Sequence, residues 1–134
     1  MHKLGDFELH AVPDGTFMLD GGAMFGIVPK PVWEKVMPAD DRNRIPLALT
    51  CLLIKTGKKN VLIDTGLGEK HDPKFLDLYG VDRKWNLKHG LAELRVRNED
   101  IDYVILSHLH FDHAGGCTVR AMTGDLVPTF PNAQ

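Results

Sequence analysis

The sequence lacks any long apolar run. No stretch approaches the roughly 18 consecutive apolar residues of a membrane-spanning helix, and the N-terminal segment, residues 1–6, is polar before the apolar core of a signal peptide could form. We therefore expect no membrane partner and a cytoplasmic location.

An excess of either charge is also missing. The 134 residues contain 16 Lys and Arg against 18 Asp and Glu, which gives a formal net charge of −2. Because binding to nucleic acid rests on a concentrated cationic surface that neutralises phosphates, we expect no nucleic-acid partner.

Cysteine is scarce. Cys51 and Cys117 lie far apart with no CxxC spacing, which excludes a disulfide framework and a zinc knuckle built from cysteines alone. Three readings of Cys117 stay open: a small packed apolar residue, a soft ligand near the histidine motif described below, or a thiol liable to oxidation.

What is present suffices for one domain, since 43% of the residues are hydrophobic and 25% are charged. Period-two alternation through Phe7, Leu9 and Ala11 predicts an opening strand. Residues 13–15, Pro-Asp-Gly, predict a turn at its end, and Asp14 is either ordinary turn chemistry or a pocket residue.

Two apolar runs, 45–56 and 61–66, flank a turn at 57–60 and predict an antiparallel hairpin whose longer strand is buried on both faces. A further strand is predicted at 101–107. Short helices are predicted at 32–37, within 75–79 and at 87–96.

The segment 20–31 is interrupted by glycines and prolines and is predicted to be irregular. Its apolar side chains, together with one following tryptophan, either line a substrate pocket or close the core. These residues are Met24, Phe25, Ile27, Val28 and Trp33.

Three of the seven histidines fall in the pattern H-x-H-x-D-H, formed by His108, His110, Asp112 and His113. Chance would produce this pattern in about two of a thousand random sequences of the same composition; the alternative is a histidine-rich surface tract. Residues two apart at a strand end project to the same side, so His108 and His110 can present nitrogens to one metal ion. Asp112 and His113 can then serve a neighbouring ion.

This loop resembles the hallmark of the metallo-β-lactamase superfamily. Residues 61–66, which contain Asp64, resemble an earlier motif of the same family. Segments 22–29, 43–46 and 52–57 look like the branch of quorum-quenching lactonase-like proteins and methyl parathion hydrolases. The resemblance covers nearly the whole chain.

The resemblance implies an α/β (α+β) fold, in which residues 1–134 form the N-terminal half of a single αββα sandwich domain with a mixed sheet flanked by helices. The family completes its site with a further histidine, a bridging aspartate and a last histidine from the second half, and none of these follows His113 here. The expected protein partner is a second copy or a chain that carries the missing half.

The resemblance also implies roles for the motif residues. His108 and His110 would bind one divalent metal ion and Asp112 and His113 another, with zinc expected and manganese, cobalt or iron possible alternatives. A bridging hydroxide would attack the carbonyl of a small-molecule lactone or ester, and Asp112 would handle the proton of the leaving oxygen. Asp64 would orient the loop by accepting a histidine N–H without binding metal itself.

The implied function is that of a dinuclear metal-dependent hydrolase similar to N-acyl-homoserine-lactone lactonases. The alternatives are a phosphotriester hydrolase and an incomplete, non-catalytic fragment that requires a second chain. Gly115 and Gly116 are expected to let the backbone turn tightly behind the ligands.

Overall fold

The computed structural model describes residues 1–134 and contains two β-sheets with short helices. The strands are β1 (His2–Leu4), β2 (Phe7–Asp20), β3 (Arg44–Lys55), β4 (Asn60–Ile63), β5 (Tyr103–Ile105), β6 (Thr118–Arg120) and β7 (Leu126–Pro128). The first five form one sheet in the order β1-β2-β3-β4-β5, and β6 and β7 form the other. The mixed α/β class is therefore as predicted.

Five short α-helices connect or follow these strands. They are α1 (Gly21–Phe25), α2 (Lys30–Trp33), α3 (Pro73–Leu78), α4 (Leu87–Glu93) and α5 (Phe111–Ala114). None of them has the length and apolar character needed to cross a membrane. The helix predicted at 32–37 is shorter and begins earlier, because Pro31 occupies its first turn.

The predicted turn at 13–15 is wrong, because β2 continues through it. The register between β2 and β3 shifts between Pro13 and Gly15, which is a β-bulge. Gly15 takes a φ of 96° there, and the bulge tolerates the missing N–H of Pro13. The side chain of Asp14 is buried as a result, with 1% of the residue exposed.

The predicted irregular segment contains α1, which begins because the Asp20 carboxylate accepts a hydrogen bond from the Ala23 N–H at 2.9 Å. Its last residue, Phe25, stacks on the buried Trp33 with ring centroids 5.0 Å apart. Phe25 and Trp33 thus pack on each other outside the two core clusters, whereas the remaining apolar side chains of the segment are exposed. These are Met24, Ile27 and Val28.

The predicted hairpin is confirmed, since β3 and β4 pair antiparallel. The expectation that β3 is buried on both faces is wrong: Leu49, Cys51 and Leu53 are buried while Thr50 between them is exposed. One face of the sheet carries the main core, into which α4 packs Leu87 and Leu91.

The last pair of the main sheet has the opposite orientation, because β4 and β5 run parallel. A parallel pair needs a crossover connection, and α3 and α4 lie within it. The two strands therefore end at the same edge of the sheet. Asp64, after β4, and Ser107, after β5, are brought together there.

Candidate metal centre

The four motif residues, which we call the histidine cluster (His108, His110, Asp112 and His113), follow the end of β5. That strand ends at Ile105, so His108 and His110 lie in the connection to α5 rather than at the strand end from which the spacing argument started. Asp112 and His113 lie in α5 itself.

The structure brings the side chains of the cluster together. The ring centroid of His108 is 4.6 Å from that of His110 and 4.1 Å from that of His113. The Asp112 Oδ2 atom lies 3.4 Å from His113 Nε2. Three imidazoles and one carboxylate therefore form a contiguous group at the sheet edge.

The chemistry of this donor set fits a divalent transition metal, because imidazole and carboxylate ligands suit zinc, manganese, cobalt and iron. Its geometry is incomplete: no three or more His, Cys, Asp or Glu side chains have donor atoms placed to hold one ion. The metal-binding roles of His108, His110, Asp112 and His113 stay predictions.

Asp64 is hydrogen-bonded to the histidine cluster and to Ser107, the residue before it. Its Oδ2 atom lies 2.8 Å from His113 Nδ1, and the N–H and hydroxyl of Ser107 donate to its two oxygens at 2.7 and 2.9 Å. Burial alone would raise the pKa of Asp64, but the hydrogen bonds from His113 and Ser107 outweigh it and lower the pKa below its usual value. The carboxylate thus contacts the loop through His113 and Ser107; its role in orienting metal ligands stays a prediction.

The backbone of Asp64 is left-handed, with a φ of 59°. This conformation is uncommon outside glycine but is tolerated by Asp and Asn. It ends β4 sharply and places the carboxylate beside the loop that follows β5.

Ser107 also contacts the histidine cluster, although the sequence did not identify it as a site residue. Besides its bonds to Asp64, its hydroxyl oxygen lies 3.1 Å from His108 Nδ1 and 3.3 Å from His113 Nδ1. The available signal was its position, a hydroxyl residue directly before the first histidine of the motif.

The loop after β4 holds α5 through its backbone. Thr65 donates its N–H and its hydroxyl to the His113 carbonyl, and the Gly116 N–H donates to the Gly66 carbonyl at 3.1 Å. A Cβ atom on Gly116 would collide with the Thr65 carbonyl oxygen.

Gly115 shows the same constraint, since a Cβ atom there would collide with the Leu67 carbonyl oxygen. Its φ is −59°, which any residue adopts. The backbone does turn tightly here, in a 3-10 helix over Gly115–Cys117, but both positions need glycine because two backbones approach closely.

Asp14 lies behind this loop as a fully buried acceptor. It accepts hydrogen bonds from the Leu67 N–H at 2.8 Å, the Leu87 N–H at 2.9 Å and Arg83 Nη2 at 2.8 Å. It thereby joins β2 to the loop after β4 and to the beginning of α4. Of the two readings that the sequence left open, ordinary turn chemistry is the wrong one.

A cavity of about 220 Å³ adjoins Asp14. Thr65, Arg83 and Phe130 line it among others, and no residue of the histidine cluster does. The cavity is therefore separate from the cluster.

Two further side chains near the cluster are packed. Phe111, between His110 and Asp112, is surrounded by aromatic rings whose centroids lie 4.9 to 5.9 Å away, those of Phe17, Phe75 and Tyr79. Cys117 is half-buried, and its sulfur lies 3.6 Å from Thr65 Oγ1. Phe111 anchors α5 in the smaller of the two core clusters.

The fold and the motif together define a family. A sequence model of the metallo-beta-lactamase superfamily matches residues 44–118, which include β3, β4, β5 and the whole histidine cluster. The chain belongs to the metallo-beta-lactamase superfamily.

Known relatives resemble the chain over most of its length. An N-acyl homoserine lactonase of Bacillus cereus is 30% identical over 119 residues, which cover 81% of this chain and 43% of the lactonase. The metallo-hydrolase mfmC of Annulohypoxylon moriforme is 27% identical over 132 residues, covering 87% of this chain and 34% of the relative.

Solved structures agree with this assignment. A probable metal-dependent hydrolase from Staphylococcus aureus superposes with a TM-score of 0.87 and 42% identity, over 98% of this chain and 47% of that one. AidC, a dizinc quorum-quenching lactonase solved with a product, gives a TM-score of 0.70 and 30% identity over 98% and 42%. The chain thus spans less than half the length of these relatives.

Proposed function

We propose that this chain contributes to the active site of a dinuclear metal-dependent hydrolase that opens a lactone or cleaves an ester, in the manner of N-acyl homoserine lactonases. One observation carries the proposal: three imidazoles and a carboxylate gather at one sheet edge, with Asp64 bonded to the ring of His113. The similarity to lactonases supports the choice of substrate class.

The four residues of the histidine cluster would have separate roles. His108 and His110 would hold one ion, and Asp112 and His113 the other. Divalent ions bound there, zinc or else manganese, cobalt or iron, would polarise the substrate carbonyl and supply a hydroxide nucleophile near neutral pH. The Asp112 carboxylate would take the proton that the nucleophilic oxygen gives up and pass it to the oxygen that leaves.

The test compares the wild-type chain with His113→Ala, and uses His2→Ala, an exposed histidine in β1, as the matched control. Each protein is exposed to zinc, dialysed, analysed for bound metal, and assayed with an N-acyl homoserine lactone, an aryl ester and a phosphotriester. We expect metal retention and lactone hydrolysis in the wild type and in His2→Ala, and loss of both in His113→Ala. Absence of bound metal together with absence of metal-rescued hydrolysis, both in the wild-type chain alone and after addition of a second chain that completes the site, would overturn the proposal.

A second candidate is that the chain is inactive alone and is completed by a second copy or by another chain. It is supported by the incomplete donor geometry. Several apolar side chains beside the cluster and on the small sheet are also exposed, which favours a covering partner. They are Ile105, Leu109, Met122, Leu126 and Val127.

Light scattering and an activity assay on the isolated chain separate the two candidates. An inactive chain that self-associates, or that gains activity when a second chain is added, supports the second candidate. A cooperatively folded, active monomer would exclude it.

A further inference from the structure

Four polar groups form a continuous chain of contacts at the sheet edge. The Asp64 carboxylate lies between the His113 ring, 2.8 Å from Nδ1, and the Ser107 hydroxyl at 2.9 Å, and this hydroxyl lies 3.1 Å from His108 Nδ1. One carboxylate is therefore linked to two imidazoles, directly to one and through a serine to the other.

The protons in this chain can be assigned by counting donors. A carboxylate can only accept, so the 2.8 Å contact requires a proton on His113 Nδ1. The Ser107 hydroxyl has one proton and two candidate acceptors, Asp64 Oδ2 at 2.9 Å and His108 Nδ1 at 3.1 Å. The shorter contact is the one to the carboxylate, which can only accept, so the proton goes to Asp64.

The remaining contact then has one possible direction. The Ser107 hydroxyl donates its only proton to Asp64, and its oxygen still has lone pairs. His108 Nδ1 must therefore donate to this oxygen. The 3.3 Å contact of the same oxygen with His113 Nδ1 is longer than the bond from that nitrogen to Asp64 and does not alter the assignment.

We propose that Ser107 is a positioning residue that holds His108 in the Nδ1–H tautomer, so that its Nε2 atom carries the free lone pair. Asp64 imposes the same tautomer on His113 directly. Both rings thus present Nε2 to the proposed metal site. Asp64 determines both tautomers, that of His113 directly and that of His108 through Ser107. The role of this arrangement in metal binding rests on the proposed function, whereas the assignment of the tautomers does not.

The arrangement matters because a neutral imidazole binds metal through its unprotonated nitrogen, and the hydrogen bond at the other nitrogen selects which one that is. His108 is exposed and the structure gives its ring nitrogens a single hydrogen-bond partner, Ser107. Without the hydroxyl, the His108 ring has no partner that selects a tautomer or a ring orientation.

The direct test is nitrogen NMR of the histidine side chains in the metal-free chain at about pH 8, well above the usual histidine pKa of ~6.5. His108 is assigned by comparison with His108→Gln. We expect the Nδ1–H form for His108 in the wild type, its loss in Ser107→Ala, and its return in Ser107→Thr, which restores a hydroxyl. His113 should keep the Nδ1–H form in all of these proteins.

An Nε2–H form of His108 in the wild type, or an unchanged His108 in Ser107→Ala, would refute the assignment. A loss of the His113 tautomer together with that of His108 would also refute it, because it would mean that the substitution disturbs the whole loop rather than one contact.

Zinc titration by calorimetry adds the functional readout. Ser107→Ala should bind zinc about 10–100-fold more weakly than the wild type, and Ser107→Thr should recover the affinity. If the wild type shows the expected tautomers but binds no zinc, the proposed function fails and the tautomer assignment stands. If zinc binds equally to the wild type and to Ser107→Ala, the positioning role of Ser107 fails alone.

Discussion

Thr65 donates two hydrogen bonds to one acceptor, the carbonyl oxygen of His113: its N–H at 2.7 Å and its hydroxyl at 2.9 Å. The residue that follows Asp64 thus fixes the backbone of a cluster histidine, while Asp64 fixes its ring. Two adjacent residues after β4 therefore hold both ends of His113.

Thr65→Val removes the hydroxyl bond and keeps the shape of the side chain. We expect the free energy of unfolding to fall by about 0.5–1.5 kcal/mol, because the His113 carbonyl retains its bond to the N–H. Urea denaturation measures the change. Thr65→Ser, which keeps the hydroxyl but loses a methyl group, is the control for lost packing; a Thr65→Val protein as stable as the wild type would show that the hydroxyl contributes nothing.

Asp14→Ala leaves Arg83 Nη2 and two buried N–H groups without their acceptor. Breaking a buried pair in this way costs about 3–5 kcal/mol, so we expect a chain close to unfolding. Asp14→Asn keeps the shape and one acceptor oxygen, and should lose about 1–3 kcal/mol. Denaturation curves of both variants should follow this order, and equal losses would contradict the role assigned to the negative charge.

Gly116→Ala forces a Cβ atom against the Thr65 carbonyl. We expect a loss of about 1–3 kcal/mol together with a shift of the His113 amide signal in an NMR spectrum, since both residues contact the same loop. Gly57→Ala is the control: its Cβ meets open space at a φ of 80°, so it carries a backbone cost of about 1 kcal/mol. In that variant the His113 signal should not move.

Asp64→Asn retains the left-handed backbone, which asparagine also tolerates, but removes the charge that orients His113. We expect zinc affinity to fall about 10–100-fold with little change in the melting curve of the metal-free chain. Calorimetric titration measures the affinity, with the exposed Asp6→Asn as the matched control. A zinc affinity of Asp64→Asn equal to that of Asp6→Asn would contradict the prediction.

The raised pKa of the Cys51 thiol predicts how the free energy of unfolding changes at alkaline pH. Burial, and to a lesser extent the charges of Asp14 and Asp64, raise the pKa of its thiol to about 12 from 9.0. Between these values the unfolded chain releases the proton and the folded chain keeps it, so stability falls as pH rises, by about 1.4 kcal/mol per pH unit. Urea denaturation from pH 8 to 11 should show a flatter decline for Cys51→Ala; parallel curves would contradict the raised pKa.

The sequence predicted those features that depend on neighbouring residues. Alternation and turn residues located the hairpin of β3 and β4, and the motif located the histidine cluster. The sequence did not predict burial that depends on residues far away along the chain. Asp14 receives its N–H donors from Leu67 and Leu87, which lie 53 and 73 residues away, so its local Pro-Asp-Gly context indicated a turn.

The glycines after the cluster illustrate the same limit. Sequence chemistry offers the freedom of a left-handed backbone as the usual reason for a glycine, whereas the reason at Gly115 and Gly116 is the loop packed against them. The role of Ser107 is intermediate, because its position was visible but its direction of hydrogen bonding requires the geometry of Asp64.

The parallel pairing of β4 and β5 has a consequence for how the chain folds. Asp64 and Ser107 are 43 residues apart, and their contact closes the entire crossover that contains α3 and α4. Because the entropy of closing such a loop is lost before its contacts are gained, we expect the cluster to assemble after the hairpin, whose strands are joined by a short turn. The hairpin of β3 and β4 would then be the surface against which β5 pairs and the histidines become ordered.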